Sequence, residues 1–127
     1  MGGIVKTLIY GERDECVSVQ SLIQLLFSEE NNQLECRHVS FHDDLQQQLM
    51  DWKPCLTVVL SQGASGMEGV YAVKDYHPDS IVFWFSEDHG FAMMSHRLDC
   101  AYFSVKPVTV DKLRRAFRRC LHVGIEF

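Results

Sequence analysis

The chain has 127 residues, of which 46% are apolar and 23% charged, with a formal net charge of −5. That is length for one domain and not two, a composition without bias toward disorder, and a balance that argues against general nucleic-acid binding. No apolar run approaches the roughly 20 residues of a membrane helix, and the start, Met1-Gly2-Gly3-Ile4-Val5-Lys6, has neither a signal-peptide layout nor the Ser or Thr that myristoylation wants at the sixth position, so a cytoplasmic domain is expected.

Ile4–Tyr10 is a short β-rich run closed by Gly11. Asp14 is the expected N-cap of a helix over Glu15–Glu30, with Cys16, Val19, Leu22, Ile23, Leu26 and Phe27 at helical spacing. After Asn31-Asn32, Leu34–Phe41 alternates as an imperfect strand, and Asp43-Asp44 open a short helix with Leu45, Leu49 and Trp52 on one side, stopped at Lys53-Pro54. Cys55–Leu60 is a strand buried on both faces; a glycine-rich loop, Ser61–Gly69, and a helix over Met67–Tyr76 follow. Ile81–Phe85 is a second buried strand. A weak helix near Gly90–Arg97, the strand Cys100–Val105 and a closing helix from Thr109 or Val110 complete the chain, the last with Val110, Leu113, Ala116, Phe117, Cys120 and Leu121 as its apolar stripe.

Five β-runs, each followed by a helix, predict an α/β fold with a parallel sheet covered on both faces and right-handed crossovers. Buried central strands and an edge-like second strand suit a flavodoxin-like (βα)5 three-layer sandwich of order 2-1-3-4-5, in one domain spanning residues 1–127. Function in such sheets gathers at the carboxyl ends of the strands, here Gly11–Asp14, Ser61–Gly66, Ser86–His89 and Lys106-Pro107.

Those loops exclude several chemistries. The stretch after the first strand, Gly11-Glu12-Arg13-Asp14-Glu15, carries one glycine and three carboxylates and would repel a phosphate; Gly63, Gly66 and Gly69 match neither G-x-G-x-x-G nor a Walker motif and read as turn glycines. A dinucleotide or flavin enzyme is rejected. The five cysteines, at spacings without C-x-x-C, read as free thiols buried as small hydrophobes; Cys36, His38 and His42 share one face only if their strand runs unbroken to His42. Charge is segregated: residues 1–105 hold six Lys and Arg against fifteen Asp and Glu, and residues 106–127 hold six against two.

The closing stretch Asp99–Leu113 resembles the end of a bacterial two-component receiver domain, closest to the type that precedes LytTR DNA-binding domains. Lys53–Leu60 and the Gly66-Met67-Glu68-Gly69 loop resemble the family's third strand and its loop, and Ser86, twenty residues before Lys106, has the spacing of its Ser/Thr switch residue. The resemblance covers residues 4–122. It places Ser61 where receivers carry the phosphoaccepting aspartate, and Gly11 and Glu12 where they carry an acidic pair that helps hold Mg²⁺. One carboxylate of three is left, so Mg²⁺ binding is expected weak or absent, and a serine without an adjacent base is a poor nucleophile. The expected protein is therefore a non-catalytic, degenerate receiver of a bacterial transcription regulator, acting without aspartyl phosphate and needing no cofactor. The alternative is an atypical receiver that still takes a phosphoryl group or small ligand in the Glu12/Ser61/Lys106 pocket.

Lys106, deprived of its usual aspartate, is expected to pair with Glu12 or hydrogen-bond Ser61 and Ser86. The resemblance further implies a cis Lys106–Pro107 bond and a switch pair of Ser86 and Phe103. Arg114, Arg115, Arg118 and Arg119 form two i,i+4 pairs opposite the apolar stripe. They read as a homodimer interface through the fourth helix, fifth strand and fifth helix, facing Glu87, Asp88, Asp99 or Asp111 of a twin; an acidic partner, nucleic acid and plain solvation are the other readings. A C-terminal DNA-binding output domain would carry the DNA contacts, leaving none to this domain, and no membrane contact is expected.

Overall fold

The computed structural model describes residues 3–122, the side chains of Leu121 and His122 excepted, so Met1, Gly2 and the Leu121 member of the last apolar stripe lie outside the described residues. Strands β1 (Ile4–Tyr10), β2 (Gln33–Val39), β3 (Leu56–Val59), β4 (Ile81–Ser86) and β5 (Tyr102–Val105) alternate with helices α1 (Arg13–Glu29), α2 (His42–Asp51), α3 (Gly63–Tyr76), α4 (Ala92–Arg97) and α5 (Val110–His122). All strand pairs are parallel and the order is β2-β1-β3-β4-β5, the flavodoxin-like arrangement predicted from the β-α alternation.

The pleat sorts side chains into two cores. Val5, Ile9, Val58, Phe83 and Phe85 meet Cys16, Ile23 and Phe27 of α1 and Leu113, Ala116 and Cys120 of α5. Leu8, Tyr10, Val59, Val82 and Trp84 face Leu45, Leu49, Val70 and Val73 of α2 and α3. β3 is fully buried and β2 alternates exposed with half-buried, as a central and an edge strand should.

Helix starts depart from expectation. α1 begins at Arg13, with Glu12 as an N-cap that makes no side-chain capping bond, so Asp14 lies inside the first turn, where the helix dipole favours a carboxylate. α2 likewise starts at His42 with Asp43 and Asp44 in its first turn. The segment expected as a glycine-rich loop is mostly helix: α3 begins at Gly63, and Gly66 and Gly69 are buried on the face it turns to the sheet. A Cβ on Gly69 would sit 2.7 Å from two ring carbons of Tyr10. These two glycines serve close helix–sheet packing; only Gly63, with φ +53°, takes the left-handed conformation of a turn glycine. A 3-10 turn, His89–Phe91, precedes α4. Among the described residues no helix is long and apolar enough to cross a membrane.

Candidate functional site

The carboxyl ends of β1, β3, β4 and β5 converge on Lys106, which directly follows β5. Its N–H donates to the Ser86 carbonyl at 2.8 Å, anchoring the backbone to the end of β4. Its side chain is 11% exposed, and Nζ donates to Glu15 Oε1 at 2.9 Å and to the Leu60 carbonyl at 2.5 Å, with Glu87 Oε1 at 3.1 Å. The ammonium thus has three oxygen partners, two of them charged. A buried cation needs such compensation.

This corrects the expected partners. Glu12 is exposed at the N-cap of α1, where its carbonyl accepts the Cys16 N–H at 2.9 Å. Three residues later the helix has turned inward, and Glu15 is half-buried over the strand ends. Ser61 does not bond Lys106 either: its Oγ lies 3.0 Å from Ser65 Oγ, which lies 3.2 Å from Tyr10 Oη. Ser86, 2% exposed, accepts the Asp88 N–H at 3.1 Å through its Oγ. Gly11 is buried with its N–H on the Val39 carbonyl, and a Cβ there would fall 2.8 Å from Leu60 Cβ. An acidic side chain at position 11 would have to displace Leu60. Glu15 and Glu87 were missed in the sequence; the available signal was Glu15 one helical turn after Glu12 on a helix entering beside Lys106.

The donor set does not fit a Mg²⁺ ion. Mg²⁺ demands several free hard oxygens, yet both nearby carboxylates hold an ammonium and the Ser61 hydroxyl is engaged with Ser65. No group of three or more His, Cys, Asp or Glu able to hold a metal occurs among the described residues.

The Lys106–Pro107 bond is cis. A second lysine closes the following loop: Lys112 Nζ donates to the carbonyls of Val105 at 2.5 Å and Pro107 at 2.9 Å. Phe103 is half-buried, packed edge-to-face on Trp84 with centroids 5.5 Å apart, and Trp84 in turn meets Phe91 at 5.3 Å.

On α5, Arg114 is committed within the chain, to Glu29 at 3.4 Å, because the helix lies alongside the end of α1. Arg115, Arg118 and Arg119 are exposed, and Arg118 lines a crevice with Phe27 and Phe117.

Cys36, His38 and His42 do not converge. β2 stops at Val39 and His42 belongs to α2, while His38 Nε2 bonds Gln20 Oε1 and Cys36 packs against the α1 core. Burial, and then the Arg13 charge, hold His38 below the usual histidine pKa of 6.5. The unfolded chain therefore binds the extra proton first as pH falls from 6.5, so this contribution to stability is complete above 6.5 and lost below it. The urea midpoint should drop between pH 7.5 and pH 5, and less so in His38→Gln; equal drops would show that the fold does not lower the His38 pKa. Burial also pushes the thiols of Cys16 and Cys120 up to about 11 and of Cys36 and Cys100 up to about 12, which suits inert thiols. Cys55 departs from the buried expectation and is exposed.

No protein-family model matches the chain. No curated protein matches it in sequence. Solved structures do match, as folds. A signal receiver domain of a modulated diguanylate cyclase from Desulfovibrio desulfuricans G20 superposes with a TM-score of 0.70 at 15% identity, over 94% of this chain and 95% of that one. A LuxR-family DNA-binding response regulator from Staphylococcus aureus gives 0.67 at 13% identity, over 91% and 97%. The receiver domain of a Luxo repressor protein from Vibrio parahaemolyticus gives 0.66 at 17% identity, over 97% and 98%. The fold is that of receiver domains.

Proposed function

We propose that this chain is a non-catalytic receiver-like signalling domain of a bacterial transcription regulator, the whole of residues 1–127 forming the one domain. It has lost aspartyl phosphorylation and works through protein interaction or dimerisation. One observation carries the reading: the lysine at the receiver position is already neutralised from within, by Glu15, Glu87 and the Leu60 carbonyl. In a phosphorylatable pocket the carboxylate partner of that ammonium is the phosphoacceptor itself, so the lysine already faces the oxygen to which the phosphoryl group is added. Here an incoming anion competes with two carboxylates. Ser61 offers a hydroxyl in place of a carboxylate, and its only described hydrogen bond is to another serine.

The fold likeness to receivers, one of them belonging to a DNA-binding response regulator, supports placing the domain in the cytoplasm beside a DNA-binding output domain. With Ser86 tied to Asp88 and Phe103 packed on Trp84, the switch pair has no phosphoryl trigger to couple to. Exposed Arg115, Arg118 and Arg119 and the 71% exposed Met93 leave α4, β5 and α5 available to a second copy.

The test is an amide NMR titration with Mg²⁺ and then with Mg²⁺ plus beryllofluoride, a phosphoryl mimic. The expected result is no saturable shift at Glu12, Glu15, Ser61, Ser86, Glu87 or Lys106. Saturable shifts there would overturn the inert reading and favour a pocket that still takes a phosphoryl group. Sedimentation of the same sample should show a dimer that Arg115→Glu with Arg119→Glu dissociates; a monomer would remove the dimer from the reading.

A further inference from the structure

β2 is the outermost strand on its side of the sheet, and no strand pairs with its outer edge among the described residues. It runs for seven residues, Gln33–Val39, in unbroken parallel pairing with β1. Bonds at both ends fix which backbone groups that pairing uses. The Gln33 N–H donates to the Gly3 carbonyl at 2.8 Å, and the Val39 carbonyl accepts the Gly11 N–H at 3.0 Å. In a parallel ladder every second residue turns both of its backbone groups to the same neighbour. Gln33, Glu35, Arg37 and Val39 therefore bond inward to β1, while Leu34, Cys36 and His38 turn N–H and C=O outward. No hydrogen bond from a described residue reaches those outward groups.

Natural sheets blunt such edges with proline, lysine or a bulge. β2 has none of the three. It carries one acid and one base, Glu35 and Arg37, both exposed and on one face of the strand. Arg37 is steadied on that face, with Nη1 donating to Gln48 Oε1 at 2.8 Å and the guanidinium 4.4 Å from the Trp52 ring centroid. Glu35 has no described hydrogen bond or ion pair.

We infer that β2 is a self-association edge, onto which a second copy of this chain adds its own β2 antiparallel about a two-fold axis at Cys36. Only residues with outward groups can exchange hydrogen bonds across the seam. Cys36 then faces its own counterpart, and Leu34 faces His38 of the second copy. The pairs between them bring side chains closest, with Cα atoms about 4.5 Å apart. In this register those pairs set Glu35 of each copy against Arg37 of the other. Every charge has an opposite charge along its own strand and another across the seam. A slip of two residues either way, to the next bonding register, sets Glu35 on Glu35 or Arg37 on Arg37, and like charges directly opposite oppose pairing. The edge thus selects one partner, itself, in one register.

This goes beyond the proposed dimer face, whose strand β5 is the opposite edge of the sheet. One copy can use both, and two isologous contacts per copy extend copies into a row. A single strand pair is a small interface, so the β2 contact forms at high local concentration, as when copies are already held through α5.

Amide hydrogen exchange on the full chain reads the contact directly. From micromolar to millimolar protein, protection of the Leu34, Cys36 and His38 amides should rise by roughly tenfold or more, with Glu35 and Arg37, already bonded to β1, unchanged. Contact through α5 protects none of these amides, so the two readings fail separately. Sedimentation equilibrium follows in the Arg115→Glu with Arg119→Glu chain, which leaves β2 as the contact under test. Glu35→Arg and Arg37→Glu should each weaken association by roughly tenfold, since either sets like charges across the seam. An equimolar mixture of the two should recover it, because each altered charge then meets its complement. No alternating rise in protection, single substitutions without effect, or a mixture of folded variants that stays monomeric would overturn the inference. The exchange pattern needs no variant and decides the matter even if Arg37→Glu, cut off from Gln48 and Trp52, does not fold.

Discussion

Gly66→Ala should destabilise the domain by about 2–3 kcal/mol, although alanine is the better helix former. Gly66 lies inside α3 with an ordinary helical φ, so by local propensity alone the substitution would gain up to about 1 kcal/mol. The surroundings reverse the sign. A Cβ there would fall inside the contact distance of the Ser61 carbonyl oxygen and 3.1 Å from Trp84 Nε1. The first neighbour is backbone, and the second belongs to a fully buried indole; neither swings aside as an exposed side chain would. Overpacking of this kind costs about 1–3 kcal/mol, and the upper part of that range applies because α3 would have to lift from the sheet over its whole length. Gly3→Ala, with nothing within 4 Å of the new methyl, is the matched control and should leave the urea midpoint unchanged. A stabilised Gly66→Ala would mean that α3 stands off from the end of β3.

Lys106→Met should cost about 1–2 kcal/mol. It removes the donor to the Leu60 carbonyl and leaves two carboxylates facing a site that held their counter-charge. Truncating one partner of a buried pair costs more than the pair contributes, because the other partner is left uncompensated. Here the figure is discounted, since Glu15 is 30% and Glu87 51% exposed and water screens both. Glu15→Gln alone should destabilise less, and in the Lys106→Met background it should be neutral or restoring. The resulting coupling in a double-mutant cycle is about 0.5–1.5 kcal/mol. Glu12→Gln should change nothing. If Glu12 rather than Glu15 couples to Lys106, the geometry of the strand-end pocket is wrong.

These two positions show where sequence reasoning reached and where it stopped. The β-α alternation was legible because buried parallel strands leave near-continuous apolar runs such as Cys55–Leu60 and Ile81–Phe85. Strand order followed from which runs were apolar on both faces. The position of Lys106 directly after the last strand was likewise readable from the sequence, whereas the cis form of its bond to Pro107 was implied only by the resemblance. Local signals served less well at helix starts: Asp14 and Asp43 have the chemistry of caps, yet they sit within the first turn, where the dipole rewards the same charge.

Gly66 and Gly69 read as loop because glycine is a poor helix residue; their cause is a helix pressed onto Trp84 and Tyr10, neighbours distant in sequence. The partners of Lys106 were illegible for a related reason. Glu15 is 91 residues away and Leu60 is 46, and only the crossovers of a 2-1-3-4-5 sheet bring three strand ends within reach of one ammonium. Arg114 meets Glu29 in the same way, through the packing of α5 on α1. Periodicity and composition determined the elements and the sheet, because burial pattern and residue chemistry are local properties. Which charges pair was decided by the tertiary structure alone, because a charge chooses among the groups that the folded backbone delivers within about 3–4 Å.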